Sequence, residues 1–167
     1  MNVAAELLVT AIYAGDPDEM FEKASSFADM IEVTKRISTY EGLPALPMVA
    51  GRTYKTNVKV FGLVETKDYA IRIDTLCKQS RRMQSSEHGD KIKSWKHTLD
   101  VLPHRDGSVW IDRVSIDAGA MTPILARYAR FMYLHRHKHR NAQSASAVLQ
   151  KAIRVNLPDV PVFHPRD

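Results

Sequence analysis

The chain holds one cysteine, Cys77, in 167 residues. That excludes an intrachain disulfide framework and any site built from two thiolates, and it fits a reducing compartment. No lysine or arginine precedes Lys23, and Glu6 interrupts the apolar opening MNVAAELLVTAIYAG. A secretory leader needs a basic start and a clean apolar run, so this stretch reads as a strand. No uncharged apolar run approaches the ~18 residues of a membrane span, and the expected location is cytoplasmic. A glycine-rich phosphate loop, a dinucleotide fingerprint and a Ser-His-Asp order are all missing. No cofactor is therefore expected, and nucleotide hydrolysis and cofactor-dependent redox chemistry drop out.

Charge is unevenly spread. Residues 1–33 hold seven acids against the single base Lys23, which leaves 23 bases and 12 acids in the rest of the chain. From Met121 to Arg140 there is no acid at all. Such asymmetry attracts phosphates or acidic partners, and it also arises where helix ends are charged to suit their dipoles.

What is present is one domain's worth of alternating and helical pattern. Residues 6–14 are strand-like. In DPDEMFEKASSFADMIEV, Asp16 is a good cap, Pro17 suits the first helical position and Glu19 completes a capping box. Met20, Phe21, Ala24, Phe27, Ala28 and Ile31 share a helical face, and Ser25-Ser26 is placed to split it into two short helices.

Period-two segments follow. Tyr54, Thr56, Val58, Val60 and Val64 fall on one face, and so do Tyr69, Ile71, Ile73, Thr75 and Cys77, which makes Cys77 a buried, apolar-like residue. SRRMQSSEHG alternates more weakly. KIKSWKHTLDVL and SVWIDRVSIDAG flank the turn sequence PHRDG. If Pro103 pairs with Ser108, Val101 faces Trp110, Leu99 faces Asp112, His97 faces Val114 and Trp95 faces Ile116, all on one largely apolar side.

TPILARYARFMYLHRHKHR then reads as a helix of roughly five turns, with an apolar stripe through Ile124, Leu125, Tyr128, Phe131 and Met132. Residues 145–154 suggest a short extra helix carrying Val148, Leu149 and Ile153, before the Pro-rich tail LPDVPVFHPRD. An antiparallel sheet with one apolar face needs a cover, which the long helix supplies; a sheet curled around a helix leaves room for a cavity.

This order, with GRTYKTNVKVFG, SSEHG, SWKHTLDVLP, WIDRVSIDAG and ARFMYLHRHKHR, resembles the START/birch-pollen-allergen (SRPBCC) superfamily, and within it the polyketide cyclase/dehydrase-like proteins. The resemblance implies an α+β helix-grip fold: a curved antiparallel sheet of about 6–7 strands around a long C-terminal helix, with short helices after the first strand. It divides the chain into a ligand-binding domain, residues 1–140, and a C-terminal extension, residues 141–167, of short helix plus tail. It carries architecture better than reaction.

His97 and Asp112 fall one diagonal step apart on the cavity side of adjacent strands, and Glu87 shares a face with Met83 and Ser85. A histidine held by a carboxylate is the usual general base. In the cyclase or dehydratase chemistry the resemblance implies, His97 is the base, Asp112 orients it, and Glu87 or Tyr54 is an acid or hydrogen-bond donor. The plainer reading is a buried pair that satisfies itself and fixes strand register. Tyr54, Thr56, Trp95, Leu99, Trp110 and Tyr128 are the expected ligand-lining residues, with core packing as the alternative for each aromatic.

HRHKHR, residues 135–140, invites a metal or nucleic-acid reading. His135 and His139 share a helical face at zinc-binding spacing, but no glutamate follows His135 and no third ligand is aimed there, so no metal is expected. Arg127, Arg130, Arg136, Lys138 and Arg140 form a basic stripe without a recognised nucleic-acid motif. Cations also gather at helix C-termini to offset unsatisfied carbonyls. On that reading Arg136, Lys138 and Arg140 face water and His135 turns toward the sheet or cavity mouth. The expected partner is a small hydrophobic or aromatic molecule. The alternative is an interaction module whose basic surface meets an acidic partner or nucleic acid. A homodimer through the tail is an option to which no residue points.

Overall fold

In the computed structural model, which describes residues 4–151, Ala5–Tyr13 forms β1, Pro17–Ala24 α1, Phe27–Thr34 α2 and Ser38–Glu41 β2. Thr53–Val60 forms β3, Val64–Cys77 β4, Arg82–Gly89 β5, Ile92–His104 β6 and Gly107–Asp117 β7. A 3-10 turn at Gly119–Met121 leads into α3, Thr122–His139, and the chain returns as β8, Ser144–Lys151. Asp16 caps α1 by accepting from the amides of Asp18 and Glu19. Ser25 ends that helix and Ser26 caps the next, so the double serine does break the helical run in two.

The strands form one antiparallel sheet in the order β2-β3-β4-β5-β6-β7-β1-β8. The β6–β7 register is the expected one, with Pro103 opposite Ser108, Leu99 opposite Asp112 and His97 opposite Val114. Register shifts at Thr56/Val58, Ile73/Thr75 and Glu87/Gly89 mark bulges, which bend strands and deepen the concave face. The α3 helix lies in that concavity against β1, β7 and β8, while α1 and α2 close the end near β6, β7 and β2. The α+β helix-grip arrangement is thus the observed one.

Four expectations need correction. The sheet has eight strands among the described residues, not six or seven, because the short β2 and β8 join its two edges. Residues 145–151, expected in a short helix, belong instead to β8, which pairs with β1 from Ile12 to Ala5; residues 152–154 of that expected helix lie outside the described residues. Pairing satisfies the row of amides and carbonyls that β1 otherwise presents at the sheet edge, which an isolated helix cannot do.

Cys77 is exposed. Strict alternation put it inside, but the bulge after Ile73 adds one residue and inverts every later side chain of β4, turning Thr75 and Cys77 outward. The buried stripe of α3 is also rotated from the expected one. It runs through Thr122, Ala126, Ala129, Met132, Tyr133 and His137, whereas Ile124 and Phe131 are exposed. Two alanines let the helix axis come close to the sheet, and bulkier residues are displaced to the flanks.

Gly107 fixes the β6–β7 hairpin against the end of β1. Its φ is +129°, and a Cβ there would lie 2.4 Å from the carbonyl oxygen of Tyr13, so only glycine fits.

The core has two parts. Leu7, Val9, Trp95, Val114 and Ile116 pack against Ala129 and Tyr133 of α3. Ala11, Tyr13, Leu99, Val101 and Trp110 pack with Phe21 of α1 and Phe27 of α2. On β6 and β7 the residues between these clusters are His97 and Asp112, so the polar pair sits at the seam of the core.

Candidate functional site

Between the sheet and α3 lies a cavity of about 520 Å³ whose walls are mostly apolar, within the roughly 300–1,000 Å³ usual for small-molecule sites. Trp95, Leu99, Trp110 and Tyr128 line it, as do His97, Asp112 and Glu87. Tyr54 and Thr56 do not. The Tyr54 ring packs edge-on against Phe27 of α2, centroids 4.7 Å apart, and the Thr56 hydroxyl donates to the Glu41 carbonyl at 2.9 Å. That end of β3 packs on α2, while β2 pairs with Asn57–Val60, beyond the bulge, where Val58 and Val60 reach the cavity.

Asp112, 1% exposed, is the centre of the polar seam. Its Oδ1 accepts from His97 Nε2 at 2.7 Å and from Trp110 Nε1 at 3.0 Å, and its Oδ2 accepts from His137 Nε2 at 3.0 Å. His137 Nδ1 lies 2.6 Å from the Tyr13 hydroxyl. Because a carboxylate only accepts, each histidine presents its Nε2–H to it. His137 Nδ1 is then left to accept the Tyr13 proton, and His97 Nδ1 is the nitrogen free of the carboxylate. Burial by itself raises the Asp112 carboxyl, but the hydrogen bonds from His137 and His97 outweigh it and hold the group well below the usual carboxylate range. Burial pushes the Tyr13 hydroxyl up to about 12.

A second polar group lies on the neighbouring strands. Tyr69 donates to Glu87 Oε2 at 2.7 Å. Burial raises the Glu87 carboxyl, against the lowering effect of that bond and of His97 and Arg136. Burial, and then the charge of Glu87, raise the Tyr69 hydroxyl. Tyr133 of α3 packs edge-on against the first group, its ring 5.4 Å from that of His97.

The helix end differs most from expectation. His137, not His135, reaches the sheet; His135 stacks on His139 with centroids 4.1 Å apart. Arg136 and Arg140, expected in water, both line the cavity, and Lys138 is exposed. Arg140 donates through Nε and Nη2 to Asp29 Oδ2, at 2.9 and 2.5 Å, and covers the Trp110 ring at 4.3 Å. Arg136 Nη2 donates to the Tyr40 hydroxyl at 3.3 Å and its guanidinium lies 5.3 Å from the Tyr133 ring, while its Nε is buried without a partner. The signal was present in the spacing: Ala126, Ala129, Tyr133 and His137 recur at i, i+3, i+7 and i+11, which carries one face to the helix end. Among the described residues, no cluster of three or more His, Cys, Asp or Glu side chains is arranged to hold a metal, and no helix is long and apolar enough to cross a membrane.

No protein-family description and no curated protein sequence matches the chain. Solved structures do match in shape. Protein CV1439 from Chromobacterium violaceum superposes with a TM-score of 0.62 at 13% identity, over 80% of this chain and 92% of that one. Ara h 8.0201 gives 0.59 at 9% identity, over 81% and 97%. TTHA0849 from Thermus thermophilus gives 0.57 at 9% identity, over 80% and 95%. At these identities the likeness is one of fold, the Bet v 1-like helix grip of Ara h 8.

Proposed function

We propose that the protein binds a small, largely apolar molecule, with an aromatic or ring-containing body, in the cavity between sheet and α3. The observation that carries this reading is the cavity itself: about 520 Å³, walled by apolar side chains and by both tryptophans of the chain, with polar groups converging from β5, β6, β7 and α3. A dry core of this size has no reason to keep such a space, since interiors otherwise pack to crystal density. The inward turn of Arg136 and Arg140 also takes two cations out of the basic stripe on which an acidic or nucleic-acid partner would rely.

Tryptophan emission tests the proposal directly. The neutral naphthalene dye prodan should quench Trp95 and Trp110 saturably at one per chain, and Ser85→Phe, which fills the cavity from β5, should abolish the effect. Unsaturable quenching, or quenching unchanged in Ser85→Phe, would sink the reading.

A second reading adds chemistry, and the polyketide cyclase/dehydrase-like resemblance points the same way. It is favoured by His97, which lines the cavity with Nε2 held by Asp112 and leaves Nδ1 to accept a proton from a carbon next to a bound carbonyl. Asp112 stabilises the resulting imidazolium, and the Glu87–Tyr69 pair offers a hydrogen bond to the developing oxyanion. On this reading His97→Ala retains ligand binding and loses turnover by roughly a hundredfold or more. Equal turnover in His97→Ala would remove His97 from the role of base, and no turnover in the wild type would leave the protein a carrier.

A further inference from the structure

Four cationic side chains line the cavity: Lys23, Lys91, Arg136 and Arg140. Lys23 and Lys91 are exposed to solvent. Arg140 is matched by Asp29. Asp112 is committed to His97, His137 and Trp110, and Glu87 accepts from Tyr69. Among the described residues Arg136 is therefore the one inward cation with no carboxylate in ion-pair contact, Glu87 acting on it only from a distance. Its contacts are a long hydrogen bond to a neutral phenol and the face of Tyr133, and its Nε–H is buried with nothing to donate to.

A guanidinium in a mostly apolar chamber with an unspent donor is a recognition group lacking its counterpart. Resting on the reading of the cavity as a ligand site, we infer that the ligand is an organic acid: an aromatic or polycyclic body lies along the apolar wall, and its carboxylate accepts from the Nη–H groups of Arg136. The planar fork of arginine matches the two oxygens of a carboxylate, side by side. Tyr40, from β2, accepts from Nη2 of the same guanidinium. Three carboxyl groups line the same cavity: Asp29, bonded to Arg140; Asp112, bonded to His97 and His137; and Glu87, which burial raises against the lowering effect of Tyr69, His97 and Arg136.

The test is a matched pair of probes, pyrene-1-carboxylate and the neutral pyrene-1-methanol, read at pH 7 by energy transfer from Trp95 and Trp110 and by calorimetry. The carboxylate should bind at least tenfold more tightly to the wild-type protein. Arg136→Met should erase that preference, and Arg136→Lys, which keeps the charge without the fork, should retain only part of it. If the alcohol binds wild type as tightly as the carboxylate, the acid assignment is overturned and the cavity reading stands. A carboxylate preference that survives in a folded Arg136→Met removes Arg136 from the role. If neither probe binds, the cavity reading falls and this inference with it. Should Arg136→Met not fold, the wild-type pair and Arg136→Lys still decide.

Discussion

His137 Nε2 lies 3.0 Å from Asp112 Oδ2, which fastens the last turn of α3 to the middle of the sheet. The other carboxylate oxygen holds His97. One side chain of β7 therefore sets both the position of the helix end and the tautomer of the histidine that faces the cavity.

Removing that side chain should be costly. Asp112→Ala strands three buried N–H donors, and the loss expected for breaking a buried ionic group is about 3–5 kcal/mol. Urea denaturation followed by circular dichroism measures it. A loss below about 1 kcal/mol would show that the network does not clamp the helix, since even a single net hydrogen bond contributes about that much.

Two carboxylates should give the stability profile opposite slopes. Asp112 is depressed in the folded state, so its contribution is complete above its unfolded value, about 3.9, and fades as pH falls below that toward the folded one. Glu87 is raised, so the folded state holds its proton more tightly and stability declines as pH rises above the unfolded value of about 4.3. Glu87→Gln should therefore equal or exceed the wild type in urea midpoint at pH 7 and lose that decline. A clear destabilisation at pH 7 by Glu87→Gln would contradict it.

Cys77 should react with 5,5′-dithiobis(2-nitrobenzoate) in the native protein at a rate within about tenfold of that in urea, because exposure and thiolate character govern such reactions and this side chain is exposed. Protection by several orders of magnitude would place the thiol inside and the bulge after Ile73 elsewhere.

Gly107→Ala should destabilise by about 2 kcal/mol or more, combining a backbone conformation that side chains avoid with a Cβ driven into the Tyr13 carbonyl. The same substitution at Gly51, where φ is +80° and a Cβ meets nothing within 4 Å, isolates the conformational part. Equal losses at the two positions would mean that the close approach to β1 contributes nothing.

How much of this was legible in the sequence depended on whether local pattern or long-range contact decided the outcome. The β6–β7 hairpin was readable because PHRDG fixes the turn, and period two then carries register to His97 and Asp112 without further information. The split between α1 and α2 was readable from the serine caps. Cys77 was not, because nothing in YAIRIDTLC announces the extra residue that inverts its strand. The end of α3 was misread for a different reason. Large apolar residues drew the stripe toward Ile124 and Phe131, while the close contact with the sheet is made by alanines, and the stripe continues through polar residues that look like a solvated end. Arg136 and His137 face inward because Tyr40 and Asp112, far away in sequence, await them. β8 stayed hidden because SASAVLQK has weak preferences of its own and takes its conformation from the open side of β1.

That last pairing has a consequence for how the protein is made. β1 leaves the ribosome before its sheet partners β7 and β8, so that Ala5 ends beside Ile116 on one side and Lys151 on the other. At roughly 5–20 residues per second of synthesis, Leu7, Val9 and Ala11 wait on the order of ten seconds with no strand to join. The nascent chain carries an unpaired apolar ribbon through most of its translation, and sheets that depend on such distant pairings fold slowly.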